Sequence, residues 1–495
     1  MSASSLKGKT ISGTIWSAAD AFLGQGISFV VGLVLARLLS PEEYGLIGIC
    51  LIFITVLSGI VDSGFSSALI RKKDTTDDDY NTMFLTNMAV SLVLYVFLFF
   101  SAPLIADFFD KEQLTALVRA IGIMLIFQAL SITQVTILTK RIDFKTKTKA
   151  SIIAAVVSGT IGIAMAFLGF GVWSLVGQRL SQTLLYTICL WVLNRWWPRL
   201  SFNKESFVYM WGFGWKLMLS GLLNNIWNQL YQTTVGKCYS PATLGQYSRG
   251  REYANIFSAN LNSIVQRVSF PVLSEIQDEK ERLVDAYRRV IKTTMLITSL
   301  CMISMGAVAE PMIYCLIGPK WHEAATYLPL ICISMSLFPL HAINLNMLQI
   351  QGRSDLFLVL EIIKKVIGIG PILLGVFVDI YWMLIGSILT GFISFFLNSY
   401  YTGKRLHYSS WMQLKDILPD YAIAFGVALS VYFLKYLPLS YWVILPLQII
   451  IGIIVAILLC EATKLSEYRE LKSIVLDYIQ RTKIGRRLLR HIKVK

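Results

Sequence analysis

Met210–Pro271 reads MWGFGWKLMLSGLLNNIWNQLYQTTVGKCYSPATLGQYSRGREYANIFSANLNSIVQRVSFP. The stretch has the length of two membrane spans and the patterning of helices, yet it is dense in polar groups. Lys216, Asn224, Asn225, Asn228, Gln229 and Gln232 occupy its first half; Arg249, Arg251, Glu252, Asn255, Asn260, Asn262, Gln266 and Arg267 occupy its second. A charged side chain at mid-bilayer costs about 2.5–3.5 kcal/mol on insertion scales, so such groups face a bundle interior or a watery cavity. We read two cavity-lining helices that share a positive, amide-rich face.

The surrounding chain is apolar enough to hold such a face in a membrane. Its 495 residues are 55% hydrophobic and only 15% charged, with a mean hydropathy of +0.61. A soluble domain is nearer about 45–50% apolar and about 25% charged. Continuous apolar runs such as 88–106 and 114–138 exceed the roughly 18 residues that mark a transmembrane helix. They do not alternate, which excludes a strand barrel. The fold class is therefore all-α and polytopic, with about fourteen transmembrane helices. The opening MSASSLKGKT shows no short apolar core with a cleavage site, so the first helix is expected to stay. The seven cysteines are scattered and include no CxxC pair; they read as small core residues.

The net charge of +15 sits in loops, which argues against a nucleic-acid partner. With the N-terminus inside, one side collects Arg71, Lys72, Lys73, Lys140, Arg141, Lys145, Lys147, Arg195, Arg199, Lys280, Arg282, Arg288, Arg289 and the basic tail. The other side keeps Arg37, Lys111, Arg119, Lys237, Lys320 and Lys435. The positive-inside rule then places both termini in the cytoplasm.

An internal repeat organises the spans. Arg37-Leu-Leu-Ser-Pro41-Glu-Glu-Tyr-Gly45 matches Lys237-Cys-Tyr-Ser-Pro241-Ala-Thr-Leu-Gly245; Pro103-Leu-Ile matches Pro311-Met-Ile; Lys140-Arg-Ile-Asp143-Phe matches Gly352-Arg-Ser-Asp355-Leu. An even number of spans separates the copies, so they share an orientation and a pseudo-twofold axis along the membrane normal. This gives an N-terminal six-helix lobe at 1–205, a C-terminal six-helix lobe at 206–405, two additional helices at 406–463 and a basic tail at 464–495. Two such lobes around a central cavity suit a rocking transporter. The tail carries Leu471, Ile474, Val475, Tyr478 and Ile479 at helical spacing, as an amphipathic helix on the inner leaflet would.

The charges inside spans are Asp20, Asp62, Arg179, Lys216, Arg249, Arg251, Glu252, Arg267, Glu361, Lys364 and Lys365. A structural ion-pair network accounts for some: Glu361 and Lys365, four apart, can pair. A cationic cavity for an anionic ligand accounts for the rest, with asparagines and glutamines adding hydrogen bonds suited to sugars. Trp211, Trp215, Trp227, Tyr231, Tyr247 and Tyr253 fit either sugar stacking or core and interface packing. Gly212, Gly214 and Gly221 allow either bending or close helix contact. His341 reads as a hydrogen-bonded core group. The Asp77-Asp78-Asp79 run reads as a solvated loop rather than a metal cluster. No positioned nucleophile, metal set or Walker lysine appears, so neither an enzyme nor direct use of ATP is expected.

Four segments carry a family resemblance: Lys9-Thr-Ile-Ser-Gly-Thr-Ile-Trp16-Ser, Leu35-Ala-Arg37 through Tyr44-Gly-Leu, Phe270-Pro-Val-Leu-Ser-Glu-Ile-Gln-Asp278 and Leu316-Ile-Gly-Pro-Lys-Trp321. In this order they resemble the Wzx-type polysaccharide flippases, in the colanic acid exporter-like branch of the multidrug/oligosaccharidyl-lipid/polysaccharide exporter superfamily. The resemblance implies a bacterial inner-membrane protein that moves an undecaprenyl-pyrophosphate-linked oligosaccharide to the periplasmic leaflet by alternating access. It implies a lipid-linked oligosaccharide and membrane lipid as partners, with a polysaccharide polymerase and a chain-length regulator nearby. Coupling to a proton or sodium gradient would replace any cofactor. The candidate binding residues are Lys216, Arg249, Arg251, Lys364, Arg179, Asn224, Asn228 and Asn255; Asp20 and Glu252 are the coupling-ion candidates. A multidrug or cation antiporter on the same scaffold is the alternative, and would call for an acidic or apolar pocket. A polysaccharide polymerase or ligase would call for a large catalytic outer loop, which the short loops do not provide.

The topology has a direct check. A membrane-impermeant amine reagent applied to intact cells should label Lys237 and spare Lys145; the opposite pattern would invert the orientation.

Overall fold

A computed structural model describes Trp16 and residues 23–481. Every regular element among the described residues is helical. Hydrocarbon offers backbone N–H and C=O groups no partner, and a helix satisfies them within itself. By packing, the chain divides after Ser248 into two compact units.

The first unit contains α1 (Gln25–Leu38), α2 (Pro41–Val61), α3 (Phe65–Arg71), α4 (Asp77–Phe108), α5 (Gln113–Gly122), α6 (Met124–Lys140), α7 (Phe144–Phe167), α8 (Val172–Asn194), α9 (Lys204–Cys238) and the start of α10 (Pro241–Glu275). The second holds the remainder of α10, then α11 (Lys280–Ala307), α12 (Ala309–Leu316), α13 (His322–Ser336), α14 (Phe338–Ile350), α15 (Ser354–Phe377), α16 (Ile380–Leu406), α17 (Ser410–Tyr432), α18 (Tyr441–Thr463) and α19 (Ser466–Arg481). Nine stretches among the described residues are long and apolar enough to cross a membrane. The other expected spans fall on α1, α8, α9, α10 and α15. Both α9 and α10 run for 35 residues, about 50 Å at about 1.5 Å per residue, well beyond a hydrocarbon core of about 30 Å. Their polar content, not their length, keeps them off an apolar tally.

Lipid-facing surface is explicit on α4. Val93, Phe97, Phe100 and Leu104 recur at helical spacing and are all exposed, Phe100 by 72%. Water would not tolerate such a stripe on one helix; hydrocarbon does. Inside the first unit, Phe65, Ala68, Leu69, Met83 and Met210 form one buried cluster. Inside the second, Tyr287, Ile291, Met295, Leu340, Ile343, Met347, Phe395 and Tyr408 form another.

The repeated Ser-Pro starts are helix caps. The Ser40 hydroxyl accepts from the Glu43 N–H at 3.3 Å, and the Glu43 carboxylate accepts from the Ser40 N–H at 2.6 Å. The Ser240 hydroxyl likewise accepts from the Thr243 N–H at 3.1 Å. Proline at the next position has no N–H to orphan and brings a helical φ. These two helix starts then touch each other within the first unit. A Cβ on Gly45 would lie 1.6 Å from the Pro241 carbonyl oxygen, and a Cβ on Gly245 would lie 1.9 Å from that of Pro41. Contact of residue a with b′ and of a′ with b is what a twofold relation between the segments requires. A second close approach involves α9. Gly64, at φ 72°, opposes Gly214, whose Cβ would lie 2.5 Å from the Ser63 carbonyl. Gly214 is thus a packing glycine, whereas Gly212 and Gly221 have open space where a Cβ would go. Packing places α9 with α2 and α3 in the first unit, while the sequence repeat groups it with the second copy.

Three local expectations need correction. Asp79 is not solvated: it is wholly buried, caps α4 through the Thr76 N–H at 2.9 Å, and receives the Lys72 ammonium at 2.8 Å. Sequence shows a run of three acids but not which of them turns inward. His341 Nδ1 lacks a hydrogen-bond partner, so the expected core bond is not made at that nitrogen. The tail helix α19 begins on protein rather than on lipid. Its Tyr468 and Leu471 pack against Leu296, Ile423, Val427 and Cys460; the side chains of Ile474, Val475, Tyr478 and Ile479 lie outside the described residues.

The glycine contacts predict a selective stability pattern. Gly45→Ala and Gly245→Ala force backbone apart and should each cost about 1–3 kcal/mol. Gly26→Ala and Gly370→Ala, with nothing within 4 Å, should not destabilise. Thermal unfolding of purified protein reads the difference; equal effects at all four positions would refute the close contact.

Candidate functional site

The polar face of α9 is built by spacing alone. Lys216, Ser220, Asn224 and Asn228 recur every fourth residue, so they climb one side of the helix. Lys216, Asn224 and Asn228 are all exposed. The exposed apolar residues Leu219, Leu223 and Ile226 occupy a neighbouring side. Asn225 turns inward and its amide approaches the Thr55 carbonyl at 3.4 Å. The helix therefore presents a lipid-compatible surface and, beside it, a ladder of an ammonium and amides. Lys216 lies over the Trp215 ring, 6.0 Å from its centroid, at the outer reach of a cation–π contact. Asparagine offers two donors and an acceptor, and lysine three donors. Such a ladder can replace water around hydroxyls and phosphate oxygens.

In the second unit, α10 divides its residues by size. Gly250, Ala254 and Ser258 recur every fourth position on the buried side. Gly250 lies against the Ala324 carbonyl and Ile331, and the Ser258 hydroxyl donates to the Met335 carbonyl at 3.2 Å. Small side chains let α10 approach α13 closely. The opposite side carries exposed Glu252 and Asn255, with Arg251 half-buried. Arg249 is 7% exposed and donates to Glu252 at 2.7 Å. Glu252, a coupling-ion candidate, is thus an ion-pair partner of a candidate binding residue. Tyr247 and Tyr253 are buried, so they serve packing; Trp211 is exposed but stacks on Phe207 with rings 12° from parallel.

The remaining candidates are dispersed. Arg179 is exposed on α8 and forms no ion pair among the described residues. Lys364, on α15, pairs with Glu361. The expected Glu361–Lys365 pair is replaced by this i,i+3 pair, because three and four residues both bring side chains to one helix face. Asp20 lies outside the described residues, as does the side chain of Arg267. Among the described cysteines, Cys50, Cys315, Cys332 and Cys460 are buried. No cluster of His, Cys, Asp and Glu suited to a metal occurs among the described residues.

Sequence reasoning missed one buried charged cluster in the second unit. Arg288 of α11 donates to Asp416 of α17 through Nε at 2.5 Å and Nη2 at 2.6 Å. One turn further along both helices, Lys292 meets Glu467 of α19 at 2.9 Å, and Asp420 lies alongside. The i,i+4 spacing of Arg288 with Lys292 and of Asp416 with Asp420 was present in the sequence. Nothing local paired them, because α11 and α17 are more than a hundred residues apart.

Comparison with known proteins supplies the family context. The sequence family described as "Polysaccharide biosynthesis protein" matches residues 34–326. The succinoglycan biosynthesis transport protein ExoT of Rhizobium meliloti (strain 1021) is 25% identical over 368 residues, 74% of each chain. The teichuronic acid biosynthesis protein TuaB of Bacillus subtilis (strain 168) is 28% identical over 309 residues, 61% of this chain and 63% of that one. The lipopolysaccharide biosynthesis protein WzxC of Escherichia coli (strain K12) is 23% identical over 375 residues, 75% of this chain and 76% of that one. Among solved structures, the lipid II flippase MurJ in an inward closed conformation shares the fold with a TM-score of 0.70 at 16% identity, covering 93% of this chain and 99% of its own. An inward-facing multidrug resistance MATE transporter of the MOP superfamily shares it less fully, with a TM-score of 0.56 at 17% identity over 78% of this chain and 98% of that one.

Proposed function

This chain belongs to the polysaccharide biosynthesis protein family, and from that premise we propose that it is a membrane transporter that flips a lipid-linked oligosaccharide. The observation that carries the reading is the ladder of Lys216, Asn224 and Asn228, exposed on a helix that also exposes Leu219, Leu223 and Ile226. A passenger with a charged, hydroxyl-rich head and an apolar tail needs both kinds of surface. Moving the head through bare hydrocarbon would cost several kcal/mol per charged group even after relaxation. Lysine and arginine offset that cost for phosphate, and amides do so for sugar hydroxyls. The relatives named for succinoglycan, teichuronic acid and lipopolysaccharide biosynthesis support a saccharide cargo.

The finer reading is an undecaprenyl-pyrophosphate-linked repeat unit carried across the bacterial inner membrane by alternating access, with both termini cytoplasmic. Lys216, Arg249, Arg251, Lys364 and Arg179 are its phosphate-side candidates; Asn224, Asn228 and Asn255 are its sugar-side candidates. Proton or sodium coupling, a polymerase and a chain-length regulator belong to the same reading. The shared fold does not choose between this cargo and a cationic drug, since one scaffold hosts many functions. The cationic, amide-bearing faces favour an anionic sugar-lipid.

The reading is tested on residues whose removal leaves packing intact. Lys216→Ala combined with Asn224→Ala should reduce surface polysaccharide at least about tenfold, equivalent to about 1.4 kcal/mol of lost headgroup interaction, at an unchanged membrane level of the protein. Lys216→Arg should retain most export. Full export by the double variant would remove the ladder from the transport path.

A further inference from the structure

Three buried carboxyls in the second unit face two cations. Asp420 is 0% exposed, Glu467 2% and Asp416 8%. Arg288 is committed to Asp416, which also accepts from the Tyr408 hydroxyl at 2.7 Å. Lys292 is committed to Glu467 Oε2 at 2.9 Å, an oxygen that also accepts from the Ser466 hydroxyl at 2.7 Å. Asp420 is left over. Neither of its carboxyl oxygens has a hydrogen-bond donor, and neither has Glu467 Oε1. The Ser299 hydroxyl reaches Asp420 only at its backbone carbonyl, at 3.4 Å. What does reach the Asp420 carboxyl is the carboxyl of Glu467.

Two carboxyls in hydrogen-bonding reach, sealed from water, cannot both stay ionised beside a single ammonium. One hydrogen between them turns a repulsion into a donor–acceptor bond and supplies the missing donor. We propose that Asp420 and Glu467 form a proton-binding site, and that the bound proton fastens helix α19 onto α17. The site takes one proton from water and returns it to water; no other species is consumed. With the proton present, Arg288, Lys292, Asp416 and Glu467 balance in charge and Asp420 is neutral. Without it, the seam between α17 and α19 holds an unpaired negative charge, which works against α19 staying docked.

The other ionisable groups at this seam are already paired. On α11, Arg289 meets Glu470 at 3.4 Å. On α18, Glu461 takes Lys472 and the Tyr468 hydroxyl, and the Cys460 thiol lies under α19 beside the carboxyl pair. On α17, the Tyr421 hydroxyl pairs with that of Ser336 at 2.7 Å. Burial works against the Glu467 charge, but the Ser466 hydroxyl and the Lys292 ammonium outweigh it and hold this carboxyl below the usual carboxylate range. Its ion pair is therefore present above that range and fails only on acidification. Release of the shared proton has the opposite sign: its contribution to docking is lost as pH rises through the titration of the pair.

Cys460, 2% exposed beneath α19, is a native reporter, and exposed Cys238 is an internal standard. Purified full-length protein in lipid nanodiscs is pulsed with a maleimide from about pH 6 to about pH 9. Peptide mass spectrometry then gives the Cys460-to-Cys238 labelling ratio. The ratio should rise at least about fivefold across that range in the natural protein. Asp420→Asn, whose amide donates permanently, should hold the ratio low at every pH; Glu467→Ala should hold it high at every pH. A flat ratio in the natural protein, a high ratio in Asp420→Asn, or a protected Cys460 in Glu467→Ala would each overturn the proposal. The measurement involves no transport, so its outcome is independent of the cargo proposed above.

Discussion

Hydrocarbon solvates nothing polar, and that single constraint shapes each feature of this protein. It makes every regular element among the described residues a helix. It sends serine and threonine hydroxyls back to carbonyls of the preceding turn, as at Thr298 and Ser399. It also means that an exposed polar ladder on a spanning helix must look onto something other than lipid tails. The ladder on α9 and the apolar residues beside it are two answers to one boundary. A sugar-lipid has the same two-sided chemistry.

Close backbone approach is the second organising device. Without a hydrophobic driving force between helices in lipid, small residues supply association through contact. Gly45 and Gly245 bring two capped helix starts together reciprocally, and Gly64 with Gly214 does so near the other end of α2. Contacts made by glycine backbones bury little side-chain area.

Charge is handled differently in the two places where it accumulates. On α10 the Arg249–Glu252 pair lies within one helix, so its geometry survives any motion of that helix. At the seam of α11, α17 and α19 the pairs run between helices, so separating the tail costs ion pairs. Buried pairs of this kind contribute less to stability than to fixing which elements meet, because desolvation offsets most of the attraction.

The sequence alone determined what periodicity and composition can encode. Apolar runs specified the spans, Ser-Pro starts specified helix N-termini, and the spacing of Lys216, Asn224 and Asn228 placed them on one helix side. The matching Pro41–Gly45 and Pro241–Gly245 segments announced a repeat. Only tertiary structure decided which glycines touch, that Asp79 rather than Asp77 or Asp78 turns inward, that Glu361 takes Lys364 and not Lys365, and that Asp420 meets Glu467. Helical periodicity fixes the direction of a side chain around its own axis within a few residues. It carries no information about which distant helix lies there, and in this protein the partners that settle charge come from helices far apart in the chain.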